Sequence, residues 1–109
     1  MLKPIALHIL LALAERESHG YAIMQAVRDQ SAGHVPVQTA SFYRYLAKLI
    51  DDGLVVEVTA RREGDDPRRG AYYRITPRGR QALASEKQRL RDLMAQLNKV
   101  RLSPRKADA

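Results

Sequence analysis

A chain of 109 residues has room for one domain with a modest core and no second domain. Nineteen Lys and Arg against twelve Asp and Glu leave a net charge of +7, which points to a polyanionic partner, nucleic acid foremost. The absence of cysteine excludes disulfides, zinc–thiolate fingers and thiol catalysis, and suits a reducing cytoplasm.

The chain begins Met1-Leu2-Lys3, followed by an apolar run from Ile5 to Ala14. With Ala12-Leu13-Ala14 it superficially resembles a signal peptide. However, His8 interrupts the run, the basic region is a single lysine, and cleavage would remove a helix that the core needs. The run is also too short to span a bilayer. A buried helix is the expectation, apolar nearly all round, with one side on the core and another, carrying Ile5 and Ile9, on a partner.

Ser18-His19-Gly20-Tyr21 opens a second helix to about Gln30, with Ser18 as N-cap and Ala22, Ile23, Ala26 and Val27 as its inward stripe. Its free first-turn amides suit a phosphate. His19 invites a metal or catalytic role, but no partner His or carboxylate stands at a ligating interval, so a backbone or phosphate contact is the better reading. Ser31–Gln38, with Gly33 and Pro36, connects to the next helix.

That helix, Thr39–Asp52, has Thr39 as its cap and Gly53 as its stop. Phe42, Leu46, Leu49 and Ile50 form the inward stripe, and Ser41, Tyr43, Arg44 and Lys48 the outward face. Arginine reads guanine edges, while hydroxyls and lysine anchor phosphates. Two strand-like runs follow, Leu54–Thr59 and Ala71–Ile75, flanking a turn from Arg61 to Gly70 that contains Arg61, Arg62, Arg68 and Arg69. Arginines on a hairpin tip suit the negative potential of a narrow minor groove. Asp65 and Asp66 in this turn read as turn formers rather than metal ligands, since no His or Cys converges on them.

Thr76-Pro77 marks the start of a last helix running to roughly Val100. Leu83, Leu90 and Leu97 recur every seven residues with Leu93 and Met94 between them, as in a short coiled-coil seam that Glu86 and Lys87 weaken. Because this helix extends well beyond a compact winged helix, it is expected to dimerise. The organisation expected is a mainly α fold with a small β-hairpin. Residues 1–75 form a winged helix-turn-helix, 76–102 a dimerisation helix, and 103–109 a polar disordered tail.

Over nearly its whole length the chain resembles the PadR-like winged-helix transcriptional regulators. The resemblance is carried by three segments: His19-Gly20-Tyr21-Ala22-Ile23, Ser41 to Leu49 with Asp52-Gly53-Leu54-Val55, and Arg68 to Gly79. The single C-terminal helix is similar to the short subfamily. The resemblance implies a homodimeric repressor on a palindromic promoter site in double-stranded DNA, often its own, released by a small-molecule effector bound between dimer helices. Tyr43 then matches a tyrosine that meets the DNA backbone, Ser41 and Arg44 its recognition neighbours, and Arg68 and Arg69 the basic wing. His19 and Tyr21 match the motif that contacts phosphate or braces the recognition helix. Phe42 stands where the family usually has leucine, and Ile50 where an acidic residue is common. Members that stack planar drugs in the dimer pore use a tryptophan, and this chain has none.

An enzyme is poorly supported by three histidines, no cysteine and no paired carboxylates, and no cofactor or metal is expected. A membrane-surface protein is disfavoured, since the basic residues are not gathered in one amphipathic helix with aromatic anchors. The rival from another class is a winged helix whose basic face meets an acidic protein.

Overall fold

The computed structural model describes residues 1–58 and 71–103. The turn from Arg61 to Gly70, with Arg61, Arg62, Arg68 and Arg69, therefore lies outside the described residues, as does most of the tail. The elements run α1 (Pro4–Glu15), β1 (Ser18–His19), α2 (Gly20–Gln30), α3 (Thr39–Asp51), β2 (Val55–Val58), β3 (Tyr72–Ile75) and α4 (Pro77–Lys99). The fold is mainly helical with a small antiparallel sheet, in the element order of a winged helix.

Helix α1 is the centre of the molecule, touching α2, α3, α4 and β3. That central position uses up its faces. Ile5 and Ile9, expected on a partner-facing side, turn into the protomer's own core at 7 % and 0 % exposure. An all-apolar helix has no polar face to mark the outside, which is why sequence alone assigned them wrongly. Leu11 is the large apolar side chain that α1 leaves exposed. Around α1 gather Ile23, Met24 and Val27 of α2, Phe42, Leu46 and Leu49 of α3, and Val55 and Ile75 of the sheet. Each such side chain contributes about 1.5–3 kcal/mol on full burial.

Two caps differ from expectation by one residue. Helix α2 is capped by His19 rather than Ser18: its Nδ1 accepts the Ala22 N–H at 3.3 Å. Helix α3 is capped by Gln38 rather than Thr39, with no side-chain hydrogen bond at that end. Its C-terminal signal does hold. Gly53 is left-handed at φ 78°, and Leu54 N–H donates to the Leu49 carbonyl while Gly53 N–H donates to that of Ile50. These two bonds close a Schellman motif and turn the chain into β2.

The sheet has the order β1-β3-β2. The two-residue β1 pairs Ser18 with Tyr73 and His19 with Tyr72, and β2 sets Glu57 against Tyr73 and Val55 against Ile75. Thr76 then joins three elements. Its Oγ1 donates to the Gly53 carbonyl at 2.7 Å and accepts the Gly79 N–H at 3.0 Å, capping α4 as expected.

Helix α4 changes role along its length. Gly79 and Glu86 are buried and Leu83 packs on the core, whereas Leu90, Leu93, Met94 and Leu97 are exposed. Glu86 explains the weak point in the heptad. Its carboxylate faces the chain's own start, where it accepts the Leu2 N–H at 3.1 Å and pairs with Arg89 at 2.8 Å. The molecule measures 64 × 26 × 23 Å, long because of α4. Among the described residues no helix is long and apolar enough to cross a membrane.

Candidate nucleic-acid interface

Helix α3 is held by one stripe and offers the other. At about 100° per residue, Phe42, Leu46 and Leu49 point inward and Arg44 points nearly opposite. Thr39, Tyr43, Arg44 and Lys48 are exposed, and Ser41 is half-buried. Ala40 and Ala47 are exposed between them. Two alanines on an outward face leave the helix backbone open to close approach, a feature that a search for basic residues overlooks. The C-terminal end of this face is less suited to a polyanion. Asp51 is exposed there, and Lys48 reaches Asp52 at 3.8 Å in a solvated pair of small energetic weight. The N-terminal half of the face carries no such acidic group and is the end better suited to a polyanion.

Tyr43 lies to one side of that face, toward the start of α2 and the sheet. Its ring meets Phe42 edge-on at 5.0 Å and covers Gly20. Beside it, the Tyr73 phenol is pushed above its ordinary pKa by burial, by Glu57 across the strand pair and by Tyr43 itself. His19, besides capping α2, meets Tyr72 edge-on at 5.8 Å. Thus the three sequence segments singled out above converge on one aromatic cluster. Tyr21 stands 61 % exposed, its hydroxyl accepting from Gln25 Nε2 at 2.9 Å. These two contacts of His19 tie the first turn of α2 to β3.

On the other flank, Ser41 and Arg44 border an open groove with Lys3, His34 and Pro36. Arg28, at the end of α2, donates to the Val37 carbonyl at 3.3 Å and ties the connection ahead of α3 back to the preceding helix. In the sequence Gly20 is noticeable only as part of the His19–Ile23 motif and Arg28 not at all, because the contacts of each depend on how the elements pack. Among the described residues no group of His, Cys, Asp or Glu is arranged to hold a metal ion.

Helix, connection, exposed helix and paired strands define a winged helix-turn-helix. Its sequence matches the Transcriptional regulator PadR-like family over residues 9–85, and the chain belongs to that family. A PadR family transcription regulator from Clostridium difficile superposes with a TM-score of 0.74 at 23 % identity, covering 89 % of this chain and 97 % of that one. A transcriptional regulator from Clostridium thermocellum gives 0.71 at 24 % identity, covering 87 % of each chain. A PadR-like transcription factor from Bacteroides fragilis gives 0.69 at 20 % identity, covering 86 % of each. At these identities the likeness establishes the fold. A search of curated proteins returned no match. The protein is a PadR-family transcriptional regulator.

Proposed function

We propose that this regulator is a homodimeric repressor that binds a palindromic promoter site, its own or a neighbour's, and is released by a small effector. The observation that carries the reading is α3, whose apolar stripe is locked in the core while Thr39, Ser41, Tyr43 and Arg44 stand along its outward, N-terminal half. In this reading Arg44 takes a base edge, Tyr43 and Ser41 take the DNA backbone, and Tyr21 and Lys48 flank them. The arginines at 61, 62, 68 and 69 are assigned to the flanking minor groove on sequence grounds. The net charge of +7 supplies the non-specific attraction.

Dimerisation rests on Leu90, Leu93, Met94 and Leu97, exposed by 41–57 % along the free half of α4, with Leu83 and Leu11 at the near end. Two copies joined there present two reading helices to successive major grooves, about 34–36 Å apart. An effector held between the helices works only through a different affinity for two spacings of those heads. It is carried here by family analogy.

The test is fluorescence anisotropy with the duplex upstream of the gene and a scrambled duplex, at low and near-physiological salt. Tight binding to the upstream duplex that survives the salt increase supports the reading. Equal, salt-labile binding to both duplexes overturns autoregulation, and the same result with duplexes from the neighbouring promoters overturns the reading as a whole. Arg44→Ala should weaken specific binding by about 1–3 kcal/mol and leave the scramble nearly unchanged.

A further inference from the structure

Gly20 is the first residue of α2, is buried, and does not have a positive φ, so its backbone does not require glycine. What requires it is Tyr43. A Cβ at position 20 would stand 2.7 Å from the Tyr43 hydroxyl oxygen, 3.1 Å from Cε1 and 3.2 Å from Cζ. The phenol therefore lies directly on bare backbone. Phe42 stands edge-on to the same ring, and Tyr43 is still 44 % exposed. The surface on which it rests is stiff: the His19 cap holds the first turn of α2, and β1 pairs the preceding residues to β3.

We propose that Gly20 is a positioning residue for DNA recognition, its missing side chain forming the seat that aims the Tyr43 hydroxyl at the DNA backbone. The inference rests on the function proposed above and adds a residue that touches no DNA. A methyl group there meets the hydroxyl end of a flexible side chain, so Tyr43 swings away while both helices stay where they are. A tyrosine hydroxyl releases no counterion, so losing its contact lowers affinity for any duplex by the same factor and leaves the salt slope alone. A general disturbance of α3 would instead move Arg44 and erode the preference for the specific duplex.

The experiment compares wild type, Gly20→Ala, Tyr43→Phe and the double variant, by anisotropy on the upstream and scrambled duplexes across a salt series, with thermal melts alongside. Gly20→Ala should fold and bind both duplexes roughly tenfold more weakly, the scale of one hydrogen bond to a charged group. Tyr43→Phe should lose about as much, and the double variant no more than Tyr43→Phe. Wild-type affinity in Gly20→Ala overturns the proposal, as do losses that multiply in the double variant. Wild-type affinity in Tyr43→Phe also overturns it, whatever Gly20→Ala does, because there is then no contact to aim. Wild-type protein that binds neither duplex removes the proposed function and this inference together. Wild-type binding with an indifferent Gly20 removes only the seat.

Discussion

Gly53 and Gly79 flank the same short strand pair and are irreplaceable for different physical reasons. A Cβ on Gly53 would meet only ordinary contacts with the Arg78 side chain, but the residue sits at φ 78°, where a side chain is strained by about 1–2 kcal/mol. Gly79 lies inside the first turn of α4, where alanine is ordinarily the better residue by up to about 1 kcal/mol. Yet a Cβ there would collide with the Leu54 carbonyl oxygen and come within 2.7 Å of Ile75 Cγ1. Backbone cannot rotate out of the way as the Tyr43 phenol can. Gly79→Ala is therefore expected to destabilise the fold by about 1–3 kcal/mol despite its helical position, which urea denaturation measures directly. A gain in stability would mean that α4 sits farther from β2 than described.

The elements themselves were largely legible, and the misreadings have physical causes. The inward stripes of α2 and α3, the Gly53 stop and the Thr76-Pro77 start came through because periodicity and capping are local. Residue type alone points to Ser18 and Thr39 as caps, whereas an imidazole Nδ1 accepts an amide as well as a hydroxyl does, and α3 begins without a side-chain cap among the described residues. Strand β1 has two residues, too few for any alternation to show. Of the candidate site, Tyr43, Arg44 and Thr39 were readable as the polar face of an amphipathic helix. The contact between Gly20 and Tyr43 was not, since it depends on how two helices cross. His19→Ala should cost about 1 kcal/mol through the lost cap, and a thermal melt tests this. On α4, the hydrogen bond from Arg89, aided by the Leu2 N–H, holds the Glu86 carboxyl below its usual range against the opposing effect of its burial. A carboxyl with a depressed folded pKa adds stability above its unfolded pKa, and that stability is lost as pH falls through the folded value. Glu86→Gln should therefore be less stable than wild type at neutral pH, with the difference closing in acid. A gap independent of pH would mean that Glu86 contributes shape rather than charge.

At the scale of the molecule, α4 is a core helix at one end and, at the other, a helix with an exposed apolar stripe. A single chain that leaves Leu90, Leu93, Met94 and Leu97 in water has a strong incentive to associate, and α1 lies beside the same region, where Leu7, His8 and Leu11 form a groove with Leu83, Leu90 and Met94. His8 Nδ1 is buried there with no hydrogen-bond partner among the described residues. Leu90→Asp should leave the winged helix folded but shift the protein to monomers in sedimentation equilibrium. Each copy would lose about 1.5–3 kcal/mol of apolar burial and gain a charge in the seam. A variant that still sediments as a dimer places the interface elsewhere.

The strand order also bears on how the chain assembles. The middle strand of the sheet, β3, is the last of the three to be synthesised, so β1 and β2 remain without a partner until residues 72–75 exist. Glu86, later still, secures the second residue of the chain across 84 positions of sequence. Helices α1 to α3 can collapse early through neighbouring contacts, but sheet closure and the attachment of the N-terminal segment wait for the final third of the polypeptide. A ribosome-bound chain truncated before Tyr72 would thus present two unpaired edges and an incompletely covered α1, and folding of the winged helix is completed by the segment that also carries Leu90, Leu93, Met94 and Leu97.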